Sequence, residues 1–255
     1  VLSKDKKTID NEIIIKDEYA YKIPQIEQVK FEYNNIIWTQ AELKQRASYI
    51  YGTDGDDIIK LEHGDFTVQA GKGNDIIQGS AGNTTYIYKK GDGNDIIRGE
   101  IDYQGNPSID TIKLIDIDEN NIKIKKQGYD MVIQVLSKDK TTIDNEIIIK
   151  DEYAYKIPQI EQVKFADNTT LTSEQLKEIA SYIYGTDGND TIKLEQGDFT
   201  VQAGAGNDII QGSAGNTTYS FNRGDGTDTI TDNIDYVGNP SIDTILLKAD
   251  ITEED

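Results

Sequence analysis

Two stretches of the chain place a large apolar residue at every ninth position. In the first the series is Ile59, Val68, Ile77 and Tyr86, and glycine stands four residues before each, at Gly55, Gly64, Gly73 and Gly82. The second repeats it with Ile192, Val201, Ile210 and Tyr219 after Gly188, Gly197, Gly206 and Gly215. Glycine at that density excludes an amphipathic helix, because each one costs a helix roughly 1 kcal/mol relative to alanine. The period predicts a coil in which a six-residue turn alternates with a three-residue strand. Elsewhere, alternation and β-branched residues predict strands at Ile9–Ile15, Gln25–Phe31, Ile122–Lys126, Met131–Ser137, Thr142–Ile149 and Gln159–Phe165. Two short helices have well-marked starts. Thr39 is an N-cap with Glu42 three residues on, and Trp38 and Leu43 stand where a hydrophobic staple forms. Thr172, Gln175, Leu171 and Leu176 repeat that logic for a helix near Ser173–Ala180. The single tryptophan therefore reads as a staple rather than a ligand platform.

A longer repeat contains these patterns. Val1 to Phe31 recurs as Val135 to Phe165 with only Lys7 changed, to Thr141, and Tyr49 onward recurs from Tyr182. The phase predicts a piece of a longer array, divided into a partial capping subdomain (1–46), a coil (47–116), a complete capping subdomain (117–180) and a second coil (181–255).

Aspartate occupies position 6 of several turns, where it faces neighbouring turns and can help to build calcium sites. The pattern G-G-x-G-x-D-x-U-x resembles the RTX calcium-binding nonapeptide, a parallel β-helix repeat. Thr84 to Ile97 is similar to that family's closing segment, and the stretch from Gly128 to Leu171 to the β-rich region following its repeats. The resemblance implies an all-β chain: tandem parallel β-rolls separated by a β-rich capping subdomain with one short helix. It also implies calcium between a turn and the next turn on the same flank. Calcium takes six to eight oxygens, from carboxylates and from carbonyls that glycines allow to point inward.

Sorting the turns by flank then gives an asymmetry. One flank carries Gly52, Asp54, Gly55 and Asp57; then Gly71, Gly73 and Asp75; then Gly91, Gly93 and Asp95. In the second copy the set is Gly185, Asp187, Gly188, Asp190, Gly204, Gly206, Asp208, Gly224, Gly226 and Asp228. These are the expected metal-site residues, for about two calcium ions per roll. Asp54 and Asp187, at position 3, read equally well as an extra ligand or as a solvated turn residue. On the other flank Phe66 and Thr84, and Phe199 and Thr217, replace the aspartate, and weak or no binding is expected. Asp102, Asp110, Asp235 and Asp243 are candidates for closing the far end of each roll.

Composition narrows the function classes. Acidic residues outnumber basic ones 46 to 26, a net charge of −20, which repels nucleic acid and anionic lipid but attracts hard cations. There is no cysteine, so disulfides, thiolate zinc sites and cysteine nucleophiles are excluded. The one histidine, His63, has Gln196 as its counterpart, so no histidine-dependent site serves both copies. Asp54-Gly-Asp-Asp lacks EF-hand spacing, Gly71-Lys-Gly73 lacks the third glycine of a dinucleotide loop, and no apolar run is long enough to span a bilayer. No catalytic apparatus is visible. The resemblance implies a secreted or surface-attached bacterial protein exported by type I secretion. Calcium and adjacent repeat units are its partners. An adhesin or surface-layer module, or a non-catalytic region of a toxin, protease or lipase, is the alternative.

Overall fold

The computed structural model describes residues 26–100, 108–233, 241–248 and 251; the predicted strand Ile9–Ile15 lies outside them. The chain forms two compact units that divide between Tyr49 and Ile50. In the first, β1 (Gln28–Phe31) pairs antiparallel with β2 (Ile36–Thr39), and α1 (Gln40–Ala47) follows. The predicted capping box is present: Thr39 accepts from the Glu42 amide, and the Thr39 amide donates to the Glu42 carboxylate at 2.8 Å. Trp38 meets Phe31 edge-on at 4.5 Å between centroids and carries the Arg46 guanidinium 4.0 Å above its ring.

The first roll comprises β3 (Tyr49–Tyr51), β4 (Ile58–Lys60), β5 (Phe66–Gln69), β6 (Ile76–Gln78), β7 (Thr84–Tyr88), β8 (Asp95–Arg98) and β9 (Thr111–Leu114). Each strand pairs in parallel with the strand two further on: β4 with β6 and β6 with β8, β5 with β7 and β7 with β9. The chain thus winds between two facing sheets, and the turns sort onto two flanks. Mid-strand residues point inward because side chains alternate along a strand. Val68, Ile77 and Tyr86 are buried, while Ile58 beside them is 72% exposed.

The capping subdomain begins with β10 (Ile122–Gln127), β11 (Asp130–Leu136) and β12 (Ile143–Ile149), an antiparallel meander. It ends with the hairpin β13 (Gln162–Lys164) and β14 (Thr170–Thr172) and the helix α2 (Ser173–Ser181). Its strands prolong both sheets of the roll: β12 pairs in parallel with β8, and β13 with β9. Roll and cap consequently share one core, in which Ile112, Leu114, Met131, Ile133, Ile147 and Val163 are wholly buried. The strand predicted over Gln159–Phe165 is shorter because the Gln159 and Ile160 amides donate instead to the buried Glu152 carboxylate, at 2.8 and 3.2 Å. β2 and β14 escaped the sequence reading. Each returns after a turn with a left-handed residue, Asn35 (φ 54) and Asn168 (φ 70).

The second roll repeats the first with β15 (Tyr182–Tyr184), β16 (Thr191–Lys193), β17 (Phe199–Gln202), β18 (Ile209–Gln211), β19 (Thr217–Phe221), β20 (Thr229–Thr231) and β21 (Thr244–Leu247). Its core is smaller: Leu194, Phe199, Val201, Ala203, Ile210 and Tyr219. β21 is exposed along its length, whereas its counterpart β9 is covered by β13.

The N-terminus of α2 offers a direct test. Leu171 and Leu176, at the staple positions, are both in the core. Thr172→Ala should cost about 1 kcal/mol of stability and Leu176→Ala about 2–5 kcal/mol. Ile58→Ala, on the outer face, should change it by less than about 0.5 kcal/mol. Urea unfolding monitored by circular dichroism at fixed calcium distinguishes the three.

Candidate metal centre

On one flank the turns 52–57, 70–75 and 90–95 stack directly, because the strands that follow them are in register. Two side-chain ladders running in opposite directions tie them together. At position 6 each aspartate accepts from the amide of the preceding same-side turn: Asp57 N–H donates to Asp75 Oδ1 (2.8 Å) and Asp75 N–H to Asp95 Oδ1 (3.0 Å). At position 5 the sense reverses: Asn74 N–H donates to Asp56 (2.7 Å) and Asn94 N–H to Asn74 (3.0 Å). The cap joins this ladder, with Glu146 N–H donating to Asn94 at 2.8 Å. The second roll repeats both ladders, through Asp190, Asp208 and Asp228 and through Asn189, Asn207 and Thr227.

Glycines bring the backbone oxygens together. Gly73 (φ +123) and Gly93 (φ +117) adopt left-handed conformations, and a Cβ on Gly73 would lie 2.7 Å from the Gly55 carbonyl oxygen. A Cβ on Gly52, Gly71 or Gly93 would overlap the carbonyl of Ala70, Thr53 or Gly73. Gly185, Gly204, Gly206 and Gly226 are crowded in the same way against Ala203, Thr186, Gly188 and Gly206. Gly91 (φ +86) and Gly224 (φ +93) have open space around them and are needed for conformation alone. Gly55 and Gly188 are uncrowded and have no left-handed φ; they contribute carbonyls on which the next turn rests.

The carboxylates are unevenly satisfied. Asp57 Oδ2 accepts from the Thr53 amide (2.6 Å) and hydroxyl (2.9 Å) of its own turn, as Asp190 does from Thr186. Asp75 and Asp208 each spend Oδ1 on the ladder, but their Oδ2 atoms are buried without a hydrogen-bond partner. Burial, then the charges of Asp57 and Asp56, push the Asp75 carboxyl up. Burial, with Asp75 and Asp92 nearby, pushes Asp95 up to about 7. A buried, unpartnered, negatively charged oxygen is costly unless a cation or proton meets it. Among the described residues no three His, Cys, Asp or Glu side chains converge on one point, so a cation here must take most of its oxygens from the backbone. That matches calcium chemistry. The residues fit such ions: Asp57, Asp75 and Asp95 would neutralise them pairwise between consecutive turns, and the carbonyls of Thr53, Gly55, Ala70 and Gly73 lie at the contacts between those turns.

Asp54 lies outside this arrangement, exposed and 3.6 Å from the Lys72 ammonium; Asp187 occupies the matching exposed turn. Two groups missed from sequence also shape the flank. Asp92 is buried and accepts from the Lys89 amide (2.8 Å), and the Tyr88 hydroxyl donates to the Gly93 carbonyl (2.5 Å). The position-5 residues were missed too, although Asp or Asn at that place in every clear nonapeptide was the available signal.

The opposite flank is built differently. The Ser80 hydroxyl donates to the Gly64 carbonyl (2.6 Å) and contacts Thr84 Oγ1 (3.4 Å), both side chains being wholly buried. Ser213, Gly197 and Thr217 repeat this in the second roll. Asp110 and Asp243 stand third in line, accepting from the Thr84 and Thr217 amides at 2.7 and 2.8 Å. Burial, then the Glu161 charge, pushes Asp110 up to about 8. Asp102 and Asp235 lie outside the described residues.

Fold and flank together define a parallel β-roll protein with cation-accepting turns. The family model for the RTX calcium-binding nonapeptide repeat matches the chain four times, at residues 47–65, 67–85, 181–198 and 200–230. These segments are RTX calcium-binding repeats, and all four lie in the rolls or at their edges. No curated protein matches the chain. Among solved structures, the extracellular lipase LipA from Serratia marcescens is similar at 16% identity, over 71% of this chain and 30% of the lipase, with a TM-score of 0.19. This chain thus spans under a third of the lipase's length, and so slight a likeness bears on neither fold nor activity.

The raised Asp95 carboxyl makes a pH prediction for the chain held in chelator. Its folded-state value of about 7 lies above the ordinary 3.8, so between these pH values the folded roll binds more protons than the unfolded one. Stability is then highest at acid pH and falls as pH rises through about 7. Lowering pH from 7.5 to 5 in chelator should increase β-structure in circular dichroism, and saturating calcium should remove the share due to Asp95. Asp95→Asn in chelator should reduce the dependence, leaving the share due to Asp110, which is raised in the same direction.

Proposed function

We propose that the chain is a non-catalytic structural segment of a secreted or surface-attached bacterial protein, and that calcium drives the folding of its rolls. Each roll takes about two ions on the aspartate flank. The observation that carries this reading is the buried, unpartnered Oδ2 of Asp75 and of Asp208, one in the middle turn of each roll. A middle-turn carboxylate lies between two consecutive turn pairs and serves both ions. On the opposite flank, a hydroxyl from Ser80 or Ser213 already occupies the carbonyl of Gly64 or Gly197, which argues against an ion there.

Folding follows from the same electrostatics. Without cations, stacked turns hold carboxylates against one another, and three-residue strands bury too little to offset that repulsion and the entropy of a glycine-rich chain. Calcium binding then becomes folding free energy. Sites of the extracellular class, with dissociation constants on the order of 10⁻⁴–10⁻³ M, stay empty in a cytosol and fill outside the cell. Export as an unfolded chain is compatible with this order of events.

Two measurements check the reading. Chelator should abolish most roll β-structure in circular dichroism while the larger cap core retains more; an unchanged spectrum contradicts calcium-driven folding. In calcium titrations Asp75→Ala should raise the midpoint more than Asp57→Ala or Asp95→Ala, because it disturbs two ions. Equal midpoints for the three variants contradict the shared position.

A further inference from the structure

The turn that opens the second flank of the second roll, Glu195–Phe199, is met by a lysine of the capping subdomain. Lys126, near the end of β10, directs its ammonium to the Gln196 carbonyl and packs against Gly197. The next residue but one, Gly128, donates its amide to the Glu195 carboxylate. The ammonium also stands 4.8 Å from the Tyr153 ring centroid and 5.8 Å from that of Phe199; burial pulls it below the usual lysine range, with Glu195 and Asp198 opposing that shift. Phe199 is the residue that replaces aspartate at position 6. The ring that removes a calcium ligand thus faces a lysine cation. Gly215 packs against the Gly197 carbonyl from the following same-side turn, so Gly197 has Lys126 and the next turn of the stack as its two neighbours.

The two copies differ in burial at this turn. Phe199 and Leu194 are buried, at 6% and 7% exposure, whereas their counterparts Phe66 and Leu61 are only half-buried. We propose that the Glu195–Phe199 turn is a docking site for the β10–β11 hairpin, with the Lys126 ammonium as a resident cation that fixes the second roll to the capping subdomain on the flank where Phe199 and Thr217 replace the position-6 aspartate. The charge and the ring are both required: cation–π attraction strengthens as the pair leaves water, and a backbone carbonyl accepts the ammonium without a counter-charge. Glu62, Gly64, Asp65 and Phe66 repeat the receptor half in the first roll, so an array of such units can reuse the device.

Segment-resolved hydrogen exchange on the full chain tests this, with calcium saturating and again across a calcium titration. The variants are Lys126→Met, Lys126→Arg, Phe199→Leu and the control Lys123→Met. Lys126→Met and Phe199→Leu should speed exchange of residues 194–202 by about three- to tenfold and raise the calcium midpoint of the second roll. Lys126→Arg and Lys123→Met should match the parent chain, and residues 61–69 of the first roll should be unchanged throughout. The exchange rates at saturating calcium read the docking contact even if calcium does not drive folding. Parent-like exchange in both Lys126→Met and Phe199→Leu overturns the proposal, as does an equal loss of protection in both rolls.

Discussion

In water a carboxylate oxygen is met on every side by donors. Asp75 and Asp208 are stripped of that water by the turns stacked above and below them, and one oxygen of each finds no donor in exchange. Most features of the rolls contribute to this situation. Parallel register sets each turn over the next; glycines let the turns close until carbonyls touch α-carbons; the position-6 ladder consumes one oxygen and leaves the other. The opposite flank has the same stacking with a hydroxyl at its centre, Ser80 or Ser213, bonded to the carbonyl of the preceding same-side turn. A stack built with carboxylates needs a cation or a proton, and one built with serine and threonine needs neither.

The capping subdomain supplies what a short-stranded coil lacks. A roll sheet of three-residue strands has an open edge, and each unpaired edge is a place for fraying or aggregation. β12 and β13 cover one edge of each sheet of the first roll in parallel register, and the cap merges its apolar residues with those of the roll in one larger core. The cap also extends the electrostatic pattern, since Glu146 joins the position-5 ladder and Glu161 accepts from the Asp110 amide at 2.6 Å. Its hairpin reaches the following roll through Lys126 and Gly128.

The roll was legible because its period is local. Glycine at position 4 and an apolar residue at position 8 fix turn and strand lengths, and alternation of flanks then follows from geometry. The helix starts were equally local. What stayed hidden depended on partners far apart in sequence. Nothing near Ile147 announces parallel pairing with Asp95, and nothing near Lys126 announces Phe199. The position-5 ladder was visible as a run of Asp and Asn but resembles ordinary turn composition, so its role emerges only once the turns are stacked. Asp54 read equally well as a ligand or as a solvated turn residue, and its side chain is exposed beside Lys72.

The central claim is that charge stored on one flank of each roll is answered by calcium at particular turn pairs. Anomalous diffraction from calcium-grown crystals locates the ions directly. Peaks should lie between the turns of Asp57 and Asp75, of Asp75 and Asp95, and of the matching pairs around Asp208, with none beside Ser80 and Thr84 or Ser213 and Thr217. Equal peaks on both flanks, or none adjoining Asp75 and Asp208, would contradict the account.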